Sequence, residues 1–296
     1  MSGSLFGLLA AVSFALDAVV IRRAVLNISD ASLGTLISVP MALPFFILII
    51  AVKGQLQSII SFTWLGYVWL SVAGILHFVV GRSLYYQCSQ LVGANIASIL
   101  RRVNILVSVF MGITLLQEPL SWQLAIGVLL IISGITLAGL SSQMLRNSSG
   151  QFSKIPAKAF LLGLGNGVAW GLSPICIKLG LKGSVSPIAG VLISYLAATV
   201  VLSIFLGNQS RRTSIAQLKG KAAVYFFISG LFSCAANLIR FVALSLAPVS
   251  VVAPLVSTSP VFLLILSFLF NRKLEVFSKP VIIGTISVVI GGILLV

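Results

Sequence analysis

Few side chains in this 296-residue chain can do chemistry, and they are mostly cations: 19 Lys+Arg stand against 4 Asp+Glu and one His. Arg101 and Arg102 sit near the middle of an apolar run. Helical spacing sets Ala97, Arg101, Asn104 and Ser108 on one stripe and Asn95, Ser98 and Arg102 on the next, which together make a broad polar face. An arginine at the centre of a membrane helix costs about 2.5–3.5 kcal/mol on insertion scales, so two of them call for partners or a wet cavity. A forked guanidinium there holds a carboxylate or phosphate. The competing role is to brace helices through backbone carbonyls.

A second stripe joins Ser233, Asn237 and Arg240 at i, i+4 and i+7. A third run offers His77, Arg82, Tyr85 and Tyr86. Arg82 and Arg240 lie closer to the ends of their runs, where reaching back to the interface competes with facing a site. His77 is suited to carrying a proton, and a hydrogen-bonded helix contact is its plainer role. Asp17 is the one acid deep in an apolar run. A membrane carboxylate serves as a proton relay or as the counter-ion of an arginine, and the four arginines within the runs favour the second. Pro254 and Pro260 flank Ser257, Thr258 and Ser259. Each proline removes a donor and frees a carbonyl upstream, so this helix is either interrupted at a site or kinked and re-satisfied by its serines. Gly163, Gly167 and Gly171 form a stripe of small residues that reads as helix packing. No strand precedes them, as a phosphate loop would need.

The elements that must position these residues are membrane helices. The chain is 59% hydrophobic and 8% charged, against roughly 25% charged in a soluble domain. Apolar runs of about 20 residues lie near 3–23, 31–52, 64–86, 93–116, 122–141, 157–179, 187–206, 222–246, 249–270 and 278–296. The expected fold class is an all-α polytopic membrane protein of ten transmembrane helices. The first run lacks a basic n-region and a small-residue cleavage site, so it reads as a retained helix. Trp64, Tyr67, Trp69 and Trp122 fall where an interfacial belt would lie. Cys88, Cys176 and Cys234 all fall inside apolar runs, which argues against a disulfide framework. With one His they make no metal site, and no cofactor is expected. The basic excess comes with no nucleic-acid module.

The stretch Ser141–Pro156, rich in Ser, Gln, Asn and Gly, divides five spans from five: a first repeat 1–141, a linker 142–156 and a second repeat 157–296. A shift of 156 residues pairs Gly7/Gly163, Leu8/Leu164, Val12/Val168, Leu16/Leu172 and Ile21/Ile177. A shift of 157 pairs Gly127/Gly284 and Gly134/Gly291. The same register sets Ala10, Phe14 and Asp17 against Asn166, Trp170 and Ser173, so one face is polar or aromatic twice. Five crossings turn the second copy upside down, and inverted repeats of this kind build secondary transporters with the site near the midplane. The loops after spans 1, 5, 7 and 9 hold twelve Lys+Arg, among them Arg22, Arg23, Lys154, Arg211 and Arg272; the opposite loops hold three, Lys53, Lys178 and Lys182. That bias puts the odd-numbered loops in the cytoplasm and both termini outside. Sequons at Asn27, Asn147 and Asn208 fall on the charged side, and their use would reverse the orientation.

The first half reads HFVVGRSLYYQCSQLVGANIASIL, then LLQEP and GVLLIISGITLAG; the second reads ALSLAPVSVVAPLVSTSPVFLLILSFLFNRK, then GTISVVIGGILL. These stretches resemble the ten-helix EamA-type transporters of the drug/metabolite transporter superfamily, over essentially the whole chain. The resemblance implies two inverted five-helix repeats around a central cavity lined by spans 1, 3, 4, 6, 8 and 9. It also implies a carrier of amino acids, sugars, nucleotide sugars, phosphorylated metabolites or drugs, often an exporter. Three departures stand out, one being that many relatives keep both termini in the cytoplasm, against the charge bias of this chain. The proline often found in span 4 is replaced around Asn104 and Ile105, and the repeat counterpart of Glu118 has basic Arg272 and Lys273 nearby.

The expected function is a secondary transporter of a small polar metabolite by alternating access, an exporter or exchanger, with an anionic or amino-acid-like substrate favoured. Four acids and one His offer no nucleophile–base pair, so no enzyme is expected. The expected substrate-binding residues are Arg101, Arg102, Asn104, Tyr85, Trp170, Asn166, Asn237, Arg240 and Ser257, with Asp17 and His77 as coupling or counter-ion groups. The alternatives are proton-coupled export of cationic or zwitterionic compounds through Asp17 and, from another class, a lipid scramblase or passive channel. The expected partners are the small-molecule substrate and membrane lipid, with the chain a monomer or homodimer in the inner membrane of a prokaryote.

Overall fold

The computed structural model describes residues 2–25, 33–146, 156–183, 186–205, 221–270 and 279–295. Among them the elements are helical: α1 (Ser2–Val25), α2 (Leu33–Val52), a short 3-10 turn (Leu56–Ile59), and α3 (Trp64–Gly74). A π-helical segment (Ile75–Gly81) leads into α4 (Arg82–Leu100), followed by α5 (Val103–Leu115) and α6 (Trp122–Arg146). The second half holds α7 (Ala157–Gly180), α8 (Pro187–Phe205), α9 (Lys221–Leu246), α10 (Val249–Val256), α11 (Ser259–Phe270) and α12 (Lys279–Leu294). Five stretches are long and apolar enough to cross a membrane: Ser2–Val20, Trp64–Ser89, Ala157–Gly180, Pro187–Ile204 and Ala223–Leu246. Five shorter apolar helices lie at Ser38–Val52, Val103–Leu115, Trp122–Leu137, Val249–Leu263 and Ile282–Leu294.

Local sequence sets several of the ends. Thr63 Oγ1 accepts from Gly66 N at 3.1 Å, Ser121 Oγ from Leu124 N at 3.1 Å and Ser186 Oγ from Ala189 N at 3.3 Å, each satisfying an orphan donor of a first helical turn. Pro156 and Pro248 stand immediately before α7 and α10. Gly54 and Gly183, at φ 65° and 76°, turn the chain in the left-handed region that other L-residues rarely adopt.

Two boundaries differ from the sequence reading. α4 runs to Leu100, through the 87–92 stretch expected to be a loop, and α6 runs to Arg146, into the expected linker. No proline stands between Arg82 and Leu100 to end the helical hydrogen bonding. A reversal in the direction of contact with α7 is still present. Before it, Ser173, Trp170 and Asn166 of α7 meet Ala73, His77 and Gly81, and Ala159 meets Cys88. After it, Leu100, Val103 and Val107 meet Gly163, Gly167 and Gly171. Contacts with α7 thus run antiparallel up to Cys88 and parallel from Leu100 onward.

Each repeat then breaks its next helix at the same place. α4 and α5 are separated at Arg101–Arg102, and α10 and α11 at Ser257–Thr258. Both breaks close with three-residue bonds: Asn104 N to Arg101 O at 2.9 Å and Val261 N to Thr258 O at 2.9 Å. Pro260 lacks the N–H that a continuous helix needs, which accounts for the second. The first has no proline. There the backbone lies on Gly167, where a Cβ would come within 3.1 Å of Arg101 O.

The inverted repeat is visible in how α6 crosses α12. A Cβ on Gly127 would meet Gly291 O at 2.9 Å, and one on Gly134 would collide with Gly284 O. Gly127 and Gly284 are repeat equivalents, as are Gly134 and Gly291, so each glycine meets the counterpart of the other. That exchange is the mark of a self-complementary contact about a two-fold axis, here within one chain. The larger pairings follow the same rule: α1 lies along α9, and its counterpart α7 lies along the α3–α4 rod. The main core buries Phe46, Phe78, Tyr195 and Phe241 among α2, α3, α8 and α9, and a smaller one gathers Ile105, Ile131, Leu255 and Val288.

Candidate functional site

α7 presents a polar face at Asn166, Trp170 and Ser173, and the α3 rod receives it. Asn166 Nδ2 donates to Gly81 O at 2.7 Å, Trp170 Nε1 to His77 O at 2.9 Å, and Ser173 Oγ to Ala73 O at 3.3 Å. The acceptors are carbonyls four residues apart, running antiparallel to the donors, so one helical face reads out the other. Two of them belong to the π segment, a departure from α geometry that is frequent at functional sites.

The ladder holds an aromatic stack. The Trp170 ring lies 5.4 Å from His77 and 5.8 Å from Tyr85, near-parallel to both at 25° and 27°. The guanidinium of Arg101 sits 5.0 Å from the centre of Trp170 and 5.2 Å from that of Tyr85, a cation–π contact on two rings. From the other side Arg240 reaches His77 Nδ1 at 3.3 Å and donates to Ser173 Oγ at 3.2 Å. A guanidinium only donates, so Nδ1 is the accepting nitrogen. Arg240 is 6% exposed, and among the described residues its Nε has no hydrogen-bond partner, nor has Arg102 Nε.

A second cluster lies across Phe78, whose ring is 4.8 Å from His77 and 4.2 Å from Tyr195. Ser229 donates a short hydrogen bond to Asp17 Oδ1. Arg82 donates to Ser38 Oγ and Ser233 Oγ, each at 3.3 Å. Ser229 and Ser233, one turn apart on α9, therefore stand between the acid and the arginine. Asn237 Nδ2 donates to Tyr195 Oη at 3.0 Å and to Ser233 O at 2.9 Å, while its Oδ1, like that of Asn166, is buried without a partner among the described residues.

The eleven residues expected from the sequence thus divide. Tyr85, His77, Arg101, Asn166, Trp170 and Arg240 converge on the stack. Asp17 and Asn237 belong to the serine cluster. Arg102 and Ser257 mark the two helix breaks, and Asn104 places its backbone against Gly171. Neither Arg82 nor Arg240 reaches back to the interface, because each finds hydroxyl or imidazole partners on neighbouring helices. The sequence reading passed over Ser38, Ser229 and Tyr195. Ser229 alone carried a signal, since it extends the Ser233–Asn237 stripe by one turn. Six of the fifteen loop cations behind the expected orientation, Lys154, Arg211, Arg212, Lys219, Arg272 and Lys273, lie outside the described residues. So do Asn27, Asn147 and Asn208, and the side chains of Asn95 and Ser98.

A model of the EamA-like transporter family matches residues 1–140 and 157–296. A solved crystal structure, 17% identical in sequence, covers 99% of this chain and 96% of its own with a TM-score of 0.79, a likeness of fold. No curated protein matches.

Proposed function

The chain belongs to the EamA-like transporter family, which makes it an integral membrane transporter of the drug/metabolite transporter superfamily, and from that premise we propose that it carries a small anionic metabolite by alternating access of two repeats, 1–141 and 157–296. The observation that carries this reading is Arg240. Its guanidinium is buried, its partners are a hydroxyl and an imidazole, and its Nε points to no acceptor among the described residues. A buried cation among neutral groups is costly unless an anion answers it. Arg101, over the opposite end of the aromatic stack, and its neighbour Arg102 add two more forked donors, suited to a carboxylate or phosphate. Tyr85 and Trp170 supply the flat wall. Transport by export or exchange across the inner membrane of a prokaryote, with both termini outside, completes the proposal.

The test is a thermal-stability screen of the purified protein against carboxylates, sugar phosphates, neutral amino acids and organic cations, since a ligand that prefers the folded state raises its stability. Carboxylates or phosphates are expected to stabilise, and Arg101→Gln and Arg240→Gln to abolish the effect. The serine cluster supports a second reading, in which Asp17 couples protons to export of cationic or zwitterionic compounds. Stabilisation by cations alone, lost in Asp17→Asn, would sink the anion reading and favour that one.

A further inference from the structure

We propose that Glu118 is a latch that closes one face of the transport path by tying the α9–α10 turn of the second repeat to the first. The inference rests on the alternating-access reading but not on the nature of the substrate. Both oxygens of Glu118 accept backbone donors at the start of α10: Val249 N at 2.6 Å and Ser250 N at 2.8 Å. A carboxylate on two orphan N–H groups at a helix N-terminus meets both hydrogen-bond demand and the helix dipole.

The other half of the same turn is held by a cation. Lys178 Nζ donates to Leu244 O at 2.7 Å, in the last turn of α9, and to Ala247 O at 2.9 Å, just beyond it, and it lies close enough to Glu118 for the charges to attract. Opposite charges thus grip the two ends of one hairpin. Lys178 and the hairpin belong to the second repeat, whereas Glu118 comes from the first, so the Glu118 bonds must break if the repeats rock apart on this face, while the Lys178 bonds need not.

The backbone is shaped to deliver that carboxylate. Gln117 stands at φ 52°, the one non-glycine residue with positive φ among those described, a conformation that is uncommon outside special sites. Glu118 N returns to Gly112 O at 3.1 Å. A Cβ on Gly112 would stand 2.6 Å from Glu118 Oε2, so glycine is what lets the carboxylate pass. α1 closes the same face, with Gly3 in backbone contact with Ala247. The grip also reaches the site: α7 carries both Lys178 and Ser173, and α9 carries both Leu244 and Arg240, so the seam that holds the hairpin also holds the buried guanidinium.

The experiment uses the full chain in lipid nanodiscs with nitroxide labels at Thr114→Cys on α5 and Ser245→Cys on α9, both exposed positions; Cys88, Cys176 and Cys234 are buried. In the Glu118→Gln background the ratio of long to short label distances should rise about tenfold, as expected when two charge-assisted bonds become one neutral bond. Gly112→Ala, which crowds the carboxylate without removing it, should move the distribution the same way, and Glu118→Asp should move it less. A merely structural cap would lower the melting temperature of Glu118→Gln and leave the distances in place, and that result overturns the latch. No substrate enters this measurement. Unmoved distances with anion stabilisation intact would remove the latch alone, and moved distances without any anion effect would remove the substrate reading alone.

Discussion

Ser229 and Ser233 are the residues across which the one deep acid and a deep arginine face each other, and their position decides what Asp17 does. Ser229 donates to the Asp17 carboxylate and Ser233, one turn further along α9, accepts from Arg82, so the two charges face each other across a pair of hydroxyls. Removing either charge leaves the other facing neutral groups. Asp17→Asn is expected to cost roughly 2 kcal/mol of stability, within the range for hydrogen bonds to charged groups. A double-mutant cycle of Asp17→Asn with Arg82→Gln, read by denaturation in detergent, should give a coupling of about 0.5–3 kcal/mol, and Ser233→Ala should erase most of it. Additive single effects would mean the serines do not connect them. Tyr195→Phe removes the acceptor of Asn237 Nδ2 and should cost about 1 kcal/mol.

α7 is the element on which the stack is built, because its two faces do different jobs. One donates three hydrogen bonds to the α3 rod. The other, at Gly163, Gly167 and Gly171, lets the α4–α5 segment lie close: a Cβ on Gly171 would stand 2.6 Å from Val107 Cβ and one on Gly163 2.5 Å from Leu100 Cβ. The packing role expected of these glycines has a consequence for the site, because the backbone of the Arg101–Arg102 break rests on Gly167. Gly171→Leu should therefore cost about 1–3 kcal/mol by overpacking and also weaken anion stabilisation, although it removes no polar group. Trp170→Phe keeps the ring beneath Arg101 and loses the bond to His77 O. A cost of about 1 kcal/mol with ligand stabilisation retained is expected; loss of stabilisation with the fold intact would show that the indole N–H, and not the ring, matters to the site.

At the scale of the whole molecule the two repeats share one self-complementary contact, the α6–α12 crossing. Its symmetry makes a prediction that an asymmetric bundle would not: Gly127→Leu and Gly284→Leu, which are distant in sequence but repeat-equivalent, should destabilise by similar amounts, about 1–3 kcal/mol each. Leu129→Ala, on the 66% exposed side of α6, should stay within about 0.5 kcal/mol. Calorimetry on the three variants checks both. Unequal glycine costs would place the pseudo-two-fold axis elsewhere. The repeat register also carries Glu118 onto Glu275, which lies outside the described residues.

What the sequence determined by itself was the helical membrane fold, because hydropathy over a span is summed over many residues. It also picked out the residue types that converge on the stack, since a charge inside an apolar run is conspicuous wherever it points. It did not determine who meets whom. A membrane helix is apolar on nearly every face, so periodicity cannot say which side packs and which meets lipid, and the partners of Arg240, Arg82 and Glu118 could not be read from spacing. The break at Arg101–Arg102 has no proline to announce it and follows from the close approach of Gly167. The two acceptors of Glu118 are backbone amides of the second repeat, which have no signature in the sequence. Those pairings were settled only when folding brought distant segments together, because each one satisfies a buried polar group with a partner that only the tertiary structure supplies.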